Sequence, residues 1–328
     1  MDFFRQEMIE ETTLREILHN WRLGLKTVRP DLRISGSPDR CVSRTVIEDV
    51  HSRLFIVEKL EKKSQKQKSA IQKNLLFLAG KNTPGVVPYI ENNRGEAMFW
   101  VQNFFWQIIP YTAGIPLRRP DYISEGWRGK VSADFLSDLK KNSVGLPDFD
   151  TAGPFSISKF ITDLNEKLAV HRSPFLERVQ PALDYLETGF MPSHDQLPRC
   201  FCHGDFHPLN IIWSQNNINS VIDWEFCGVK PEPYDAANMV GCLGMESPDG
   251  LQEEFAYAFM DRLIETDYFH PMSREFFFDF VLALRFAWLS EWLHVHDQEM
   301  ADLETIYINL LLDNRGVLSR SWGCPVRG

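Results

Sequence analysis

The hydrophobic and polar positions near the start of the chain predict one helix followed by an antiparallel sheet. Thr13 and Glu16 form a capping box, and apolar residues at helical spacing then predict a helix over 13–24. Short β-like runs, joined by turns, lie at 32–35, 42–48, 53–60 and, as a further pair, within 86–109. Between them, helical spacing that ends at Gly80 predicts a helix over 62–79.

Helical periodicity dominates the chain after Pro110. The segments that show it are 132–141, 157–170, 175–188, 251–265, 274–296 and 300–312. One compact non-helical block, residues 199–226, lies among them. The sequence therefore predicts an α+β fold with two lobes. A small lobe over 1–107 holds an antiparallel sheet plus a helix, and a larger, mainly helical lobe covers 108–328. Ligands usually bind in clefts between lobes.

Composition and charge narrow the possible classes of protein. The 328 residues are 44% hydrophobic and 24% charged, as in an ordinary globular protein. The net charge of −10 argues against a nucleic-acid-binding protein, which should be basic. The charge is uneven, with a net +4 over 1–150 and a net −13 over 201–328. Either the first part suits an anion and the last part a cation, or both are solvated surface.

Targeting and membrane segments are not expected. The N-terminus is charged from its second residue and has no apolar core of a signal peptide. Residues 97–117 carry no charge, but Gln102, Asn103 and Pro110 interrupt that stretch and argue against a membrane span. Six cysteines are too few for a disulfide scaffold. We therefore expect a cytoplasmic protein with no membrane partner.

Two cysteines and two histidines near residue 200 raise the question of a zinc site. Cys200, Cys202, His203 and His207 lie close together in the sequence, but no CxxC pair is present. Cys200 and Cys202 alternate along a predicted strand, which is more typical of cysteines packed in a core. The core interpretation is favoured over zinc.

The block 199–226 gathers oxygen ligands. The tripeptide His203-Gly204-Asp205 opens a loop, and Asn210 follows five residues after Asp205. A predicted hairpin with strands at 211–213 and 221–223 would bring Asp223 back beside that loop. Mg²⁺ prefers oxygen ligands and keeps several waters, so one carboxylate and one amide are enough. Glu225 lies two residues after Asp223, and strand alternation would put both side chains on one face.

These motifs resemble the catalytic signature of the aminoglycoside phosphotransferase and choline kinase family. The resemblance rests on His203-Gly204-Asp205-x4-Asn210 and on Ile222-Asp223-Trp224-Glu225. It implies a protein-kinase-like bilobal fold that uses ATP and Mg²⁺ to phosphorylate a hydroxyl of a small molecule. It also implies that Asp205 is the catalytic base and that Asn210 and Asp223 hold the metal. Strand alternation adds Glu225 as a candidate metal ligand. In the segment Tyr234-Asp235-Ala236-Ala237, the aspartate would have a structural role.

The resemblance also implies a nucleotide site. This sequence departs from the family pattern there in two features, the partner of the strand lysine and the phosphate-binding loop. Lys59 corresponds to the strand lysine that contacts phosphates, or it is a surface lysine. In the family, that lysine pairs with a glutamate on the next helix. Residues 62–90 contain no Asp or Glu, and Gln72 lies at about the position where the family has the glutamate. The loop over 35–39 has one glycine and a proline, so it is either a weak phosphate loop or a plain turn. Ile109, in the predicted connector, would contact adenine.

The acceptor side is predicted on the helix over 274–296. Trp288, Glu291 and Trp292 fall on roughly one side of it, together with Arg285. An aromatic and acidic surface suits an amine or a quaternary ammonium group. The alternative is that these aromatic residues belong to the core, as is usual for such a helix.

The predicted function is an ATP-dependent phosphotransferase for a hydroxyl of a small molecule, with amine-bearing compounds among the candidate acceptors. The alternative is a pseudokinase, a nucleotide-binding or scaffold protein without turnover, which the two departures favour. The intact set of Asp205, Asn210 and Asp223 favours the enzyme. A protein kinase is disfavoured because no glycine follows Asp223 in the way a DFG motif requires.

Overall fold

The computed structural model describes residues 9–36, 40–147, 156–171 and 173–327. Their packing divides the chain into two compact units. We call the first the sheet unit; it comprises the described residues of Met1–Pro116, Asn142–Thr151 and Leu209–Phe226. We call the second the helical unit; it comprises those of Leu117–Lys141, Ala152–Pro208 and Cys227–Gly328. The predicted division into a nucleotide-binding lobe over 1–107 and a catalytic lobe over 108–328 stays a prediction. The two packing units have different boundaries from these predicted lobes.

The sheet unit is built on five antiparallel strands. They are β1 (Leu25–Val28), β2 (Ser43–Asp49), β3 (Leu54–Leu60), β4 (Met98–Val101) and β5 (Phe104–Pro110), in the spatial order β1-β2-β3-β5-β4. Helix α1 (Glu11–His19) precedes the sheet, and α2 (Gln65–Gly80) follows β3 after a short 3₁₀ turn. The predicted antiparallel sheet with a helix, and the predicted α2, are therefore confirmed.

One face of this sheet carries the core of the unit. Phe55 and Val57 of β3 lie in one buried cluster with Trp106 and Ile108 of β5. The apolar side of α1 packs into the same cluster through Leu14, Ile17 and Leu18. Burying each such side chain contributes roughly 1.5–3 kcal/mol to folding. Because strand residues alternate between faces, the residues between these apolar positions point away from α1.

Two predictions for the sheet unit were wrong in detail. The first strand is β1, at Leu25–Val28, and residues 32–35 form no strand. Pro30 has no N–H to donate to a ladder, and the N–H of Leu32 donates to the Arg29 carbonyl in a turn. Helix α1 also ends at His19, before the predicted end. The Asn20 side chain there donates to carbonyls of the last turn, which ends the helix.

The later strand pair and the hairpin are confirmed with shifted ends. Strands β4 and β5 pair as expected, whereas the predicted run at 86–90 contributes only a bridge from Ile90 to Ile108. Strands β7 (Ile211–Trp213) and β8 (Ile218–Val221) form the predicted hairpin in the sheet unit. The Val221 N–H donates to the Gly85 carbonyl at 2.8 Å.

The helical unit holds most of the helices. They are α3 (Gly126–Asn142), α4 (Ile157–Val170), α5 (Pro174–Ser193), α6 (Tyr234–Glu246), α7 (Glu254–Glu265), α8 (Pro271–Glu275), α9 (Phe277–His294), α10 (Gln298–Asp313) and α11 (Arg315–Ser321). Strands β6 (Arg199–Cys202) and β9 (Gly228–Pro231) pair antiparallel within it. No helix within the described ranges is long and apolar enough to cross a membrane.

Helix α6 was missed by the analysis of hydrophobic spacing. It is buried around most of its circumference, so it shows no polar face to give a helical period. Gly241 and Gly244 also weaken the sequence signal for a helix. Gly244 is needed here because a Cβ would lie 2.0 Å from the Tyr307 hydroxyl oxygen of α10. The glycine thus lets two helices approach closely.

Candidate active site

The loop that carries Asp205 is fixed by a buried carboxylate. Asp235, in the first turn of α6, accepts the N–H of His203 at 2.6 Å and that of Gly204 at 2.8 Å. The Asp205 N–H in turn donates to Nδ1 of His203 at 3.2 Å. Gly204 has a φ of 85°, which a glycine adopts without strain. Burial raises the pKa of Asp235 to about 6, although the two N–H donors oppose that shift.

The side chain of Asp205 lies beside His207 and an aromatic surface of the helical unit. Nε2 of His207 is 3.6 Å from Oδ1 of Asp205. The His207 ring meets the edge of Trp288, with centroids 6.5 Å apart, and Trp288 stacks on Trp292 at 5.8 Å. Nε1 of Trp288 donates to Oδ1 of Asn238 at 3.3 Å. The two predicted acceptor tryptophans therefore connect to Asp205 through one histidine.

Other residues of the predicted acceptor group have different surroundings. Glu291 is exposed at the surface of α9. Arg285 is buried and makes two hydrogen bonds to the Glu304 carboxylate, at 2.6 and 2.7 Å. The same carboxylate accepts Nε1 of Trp292 at 3.3 Å. The Arg285 charge is thus neutralised inside the helical unit, and the pair fixes the orientation of Trp292.

Asn210 and Asp223 lie at the same end of the hairpin in the sheet unit. Strand β8 ends at Val221, and the N–H of Ile222 donates to the backbone carbonyl of Asn210 at 2.9 Å. Asn210 is 5% exposed. Asp223 has a φ of 64°, a left-handed conformation that aspartate tolerates better than most residues. Nε of Arg40 lies 3.7 Å from Oδ1 of Asp223.

The strand argument for Glu225 was wrong. Residues 224–226 form a 3₁₀ turn rather than a continued strand, so alternation does not apply to Asp223 and Glu225. The Glu225 carboxylate instead forms an ion pair with the ammonium group of Lys68 on α2. The two side chains are only 6% (Lys68) and 8% (Glu225) exposed. Nε2 of Gln67 also donates to the Glu225 backbone carbonyl at 2.8 Å.

The Lys68 ammonium stays charged in this buried position. Burial alone would lower the pKa of Lys68, but the attraction of Tyr89, Glu58 and Glu225 outweighs it and raises the pKa. The ammonium also lies over the Tyr89 ring, 5.8 Å from its centroid. A buried positive charge is therefore held where α2 meets the 224–226 turn.

The donor chemistry near the hairpin fits a hard divalent cation. Asp223 offers a carboxylate and Asn210 an amide oxygen, and Mg²⁺ takes its remaining ligands from water and phosphate. Among the described residues, no three His, Cys, Asp or Glu side chains gather into a cluster that could hold a metal by themselves.

The cysteines of β6 show core packing. The sulfur atoms of Cys200 and Cys202 are 3.8 Å apart, and Cys202 is buried. Burial raises the pKa of the Cys202 thiol, which keeps it protonated. The environment of these two residues agrees with the core interpretation.

Lys59 and Ile109 lie on opposite faces of the sheet. Lys59 is directly opposite Trp106 in the register of β3 and β5, and its ammonium sits 4.1 Å from the Phe104 ring centroid on the α1 face. Ile109 pairs with Ile56, so it lies on the other face. The assignment of both residues to a nucleotide stays a prediction.

Gln72 is engaged with the backbone of Tyr89. Its Nε2 donates to the Tyr89 carbonyl at 3.1 Å, and its Oε1 accepts the Tyr89 N–H at 2.9 Å. Gln72 is 4% exposed. Both ends of this amide therefore hold the 89–90 segment against α2.

A family model covers most of the chain. The model described as "Phosphotransferase enzyme family" matches residues 46–272, which include the Asp205 loop and the hairpin. The chain belongs to this family. The match confirms the resemblance to aminoglycoside phosphotransferases and choline kinases. It also confirms the predicted enzyme class, a small-molecule phosphotransferase.

Solved structures share the fold of this phosphotransferase at low sequence identity. An aminoglycoside phosphotransferase from Alicyclobacillus acidocaldarius is 13% identical, with a TM-score of 0.65, over 97% of this chain and 96% of the other. An amicoumacin kinase, hAmiN, solved in complex with AMP-PNP, Ca²⁺ and Ami, is 11% identical, with a TM-score of 0.67, over 94% of both chains. Choline kinase LicA from Streptococcus pneumoniae is 18% identical, with a TM-score of 0.62, over 93% and 99%. The predicted α+β, kinase-like fold is confirmed. No individually curated protein matches the sequence.

Several residues that interact with the predicted site residues, or with their partners, were missed by the sequence analysis. They are Arg40, Glu58, Lys68, Asn238 and Glu304. The sequence did contain a signal for Glu58 and Lys68. Glu58 is next to Lys59 on the strand, and lysines are the only charged residues on the following helix. The partners of the others are distant in sequence, and the sequence carried no local signal for them.

Proposed function

We propose that this phosphotransferase uses Mg²⁺ and ATP to transfer the γ-phosphate to a hydroxyl group of a small molecule that also carries an amine. The observation that carries the proposal is the buried Asp235 carboxylate, which holds two consecutive N–H groups and so fixes the backbone before Asp205. A fixed carboxylate next to an aromatic surface can orient a hydroxyl compound.

Asp205 takes the part of the base in this proposal. Its carboxylate accepts a hydrogen bond from the acceptor hydroxyl, orients the oxygen toward the phosphorus and takes the proton as the bond forms. His207 lies beside this carboxylate, with its Nε2 3.6 Å from Oδ1 of Asp205. Asp235 acts only through the backbone, as a positioning residue.

Asn210 and Asp223 would hold the divalent cation. When bound, the cation would neutralise charge on the phosphates. The left-handed backbone at Asp223 and the hydrogen bond from Ile222 to Asn210 keep the two side chains at the same end of the hairpin. Arg40 balances the Asp223 charge in the protein without a cation.

The aromatic surface supports an amine-bearing acceptor. Trp288 and Trp292 present stacked indole rings near His207, and Glu291 adds a nearby carboxylate on α9. Ring faces and carboxylates attract ammonium groups. The net −13 over residues 201–328 adds a field that attracts cations. The structural neighbours include enzymes described as aminoglycoside and choline kinases, whose named substrates carry amines or a quaternary ammonium group.

A substrate screen tests the proposal. The purified protein is given Mg²⁺ with ATP or with GTP and pools of hydroxyl compounds that are cationic, neutral or anionic, and nucleoside diphosphate release is followed. We expect turnover with cationic compounds, with ATP preferred, and a kcat/KM that falls as ionic strength rises. A best substrate that is neutral or anionic would refute the amine class. Nucleotide binding without turnover in any pool would support the pseudokinase alternative.

A further inference from the structure

The buried charges on β3 and α2 are reversed in this protein relative to the family pattern. The family resemblance places a lysine on the third strand and a glutamate on the next helix. Here the buried ionisable residue that β3 presents toward α2 is Glu58, and the buried charge on α2 is Lys68. Glu58 attracts the Lys68 ammonium through space. The two charges have exchanged elements.

The faces of the sheet separate Glu58 from Lys59. Glu58 lies directly opposite Gln107 on β5, and Nε2 of Gln107 donates to its carboxylate at 2.6 Å. Ile56 and Ile109 share this face, because they lie two residues away in the same register. Lys59 lies on the other face, against Phe104 and the core cluster that α1 covers. A ligand bound on the Ile109 face would therefore be on the same side of the sheet as Glu58 and Lys68. Lys59 would lie on the opposite side.

The surroundings of Lys68 connect it to the proposed metal ligands within the sheet unit. Its ammonium pairs with Glu225, which lies two residues after Asp223. The Gln67 side chain, one residue earlier on α2, holds the backbone of the same turn. A lysine ammonium has three donors that rotate freely, so it can keep Glu225 as a partner and also donate to a phosphate oxygen.

We propose that Lys68 of α2, rather than Lys59 of β3, is the lysine that contacts the nucleotide phosphates. This inference rests on the proposed use of a nucleotide. The ion pair with Glu225 holds the ammonium in place before the nucleotide binds, and the charge of Glu58 adds a longer-range attraction. The helix carries the positive charge, and the strand carries the carboxylate that orients it.

Binding measurements on matched variants test the proposal. Lys68→Met alone would leave buried carboxylates without their cation and could prevent folding, so it is introduced in a Glu225→Gln background. The double variant is compared with Glu225→Gln, and Lys59→Met with the wild type. Titration calorimetry with Mg²⁺ and AMP-PNP gives the nucleotide affinity. Competition of adenosine with AMP-PNP gives the affinity for a ligand that has no phosphates. Circular dichroism confirms that each variant is folded.

We expect Lys68→Met to weaken AMP-PNP binding by about tenfold to a hundredfold relative to its background. Adenosine affinity should stay within about twofold, and Lys59→Met should change nucleotide affinity by less than about twofold. Equal AMP-PNP affinity in the double variant and its background would overturn the assignment of Lys68 and leave the proposed function standing. An equal loss for adenosine and AMP-PNP would also overturn it, because the residue would then be structural. A wild-type protein that binds neither ATP nor GTP would overturn both proposals.

Discussion

Asp235 accepts the backbone N–H groups of two consecutive residues, His203 at 2.6 Å and Gly204 at 2.8 Å, and thereby fixes the loop that carries Asp205. The carboxylate is buried, and Asp235 lies 31 positions after Gly204 in the sequence. A carboxylate that accepts two N–H bonds has a partner for each oxygen. The loop is therefore held by a residue that need not touch any substrate.

Asp235→Asn should lower both stability and turnover. An amide has one oxygen, so its NH₂ group would face a backbone N–H, and one buried donor would lose its partner. We expect a loss of about 1–3 kcal/mol in the free energy of unfolding. Urea denaturation measures the loss, and a fall in kcat would report the displaced loop. Asp261→Asn, an exposed residue of α7, is the control and should change neither. Wild-type stability and kcat in the Asp235 variant would contradict the positioning role.

Asp205→Asn should lower turnover while the protein keeps its stability and its nucleotide affinity. The amide retains the shape of the side chain but cannot accept the proton. We expect kcat to fall by about 10²–10⁴-fold. Steady-state kinetics with an acceptor found in the screen give this value, and calorimetry gives the nucleotide affinity. Unchanged turnover would exclude Asp205 as the base.

Removal of the two proposed metal ligands should have unequal effects. Asp223→Ala removes a charged ligand, so the Mg²⁺-dependent rise in Tm caused by ATP should disappear. Asn210→Ala removes a neutral oxygen and should only reduce that rise. Thermal shift with ATP, with and without Mg²⁺, measures both. If both variants keep the shift of the wild type, the hairpin does not hold the metal.

Trp288→Ala should weaken the acceptor rather than the nucleotide. The indole ring contacts His207 and stacks on Trp292, so its loss removes the central part of the aromatic surface. We expect KM for a cationic acceptor to rise by about threefold to thirtyfold, as for the loss of one cation–π contact. Trp100→Ala, which removes an exposed tryptophan of β4, is the matched control. An equal effect of both substitutions would argue against an acceptor surface at Trp288.

Asp49 gives a prediction for pH. Burial alone would raise the pKa of its carboxyl, but the N–H donors of Arg53 and His51 and the Arg53 guanidinium outweigh burial and lower the pKa. Because the folded-state pKa lies below the usual value of 3.8, the stabilisation is present above that pH and is lost as the pH falls through the folded-state value.

We therefore expect Asp49→Asn to cost about 1–3 kcal/mol near neutral pH. The difference from the wild type should stay constant down to about pH 5 and shrink below about pH 4. Urea denaturation across this range measures it. A difference that grows on acidification would show that the carboxyl pKa is raised instead.

The local pattern predicted much of the fold. Alternation over β2 and β3, and helical spacing over α2 and α4, predicted those elements because each has one apolar face or stripe. Helix α6 was missed because burial on nearly all sides removes that contrast. The prediction of a strand at 32–35 was wrong because β-like composition does not determine which segment pairs with a neighbouring strand.

The sequence by itself determined the family, the kinase-like α+β fold and the identity of Asp205, Asn210 and Asp223 as the residues to examine, because these depend on short motifs and local spacing. Only the tertiary structure decided that Asp235 braces the Asp205 loop and that Lys68 pairs with Glu225, a residue 157 positions later. It also decided which face of β3 is covered by α1, and hence that Lys59 and Glu58 point to opposite sides. Strand alternation separates neighbours onto two faces, but only the packing of distant segments gives each face its surroundings.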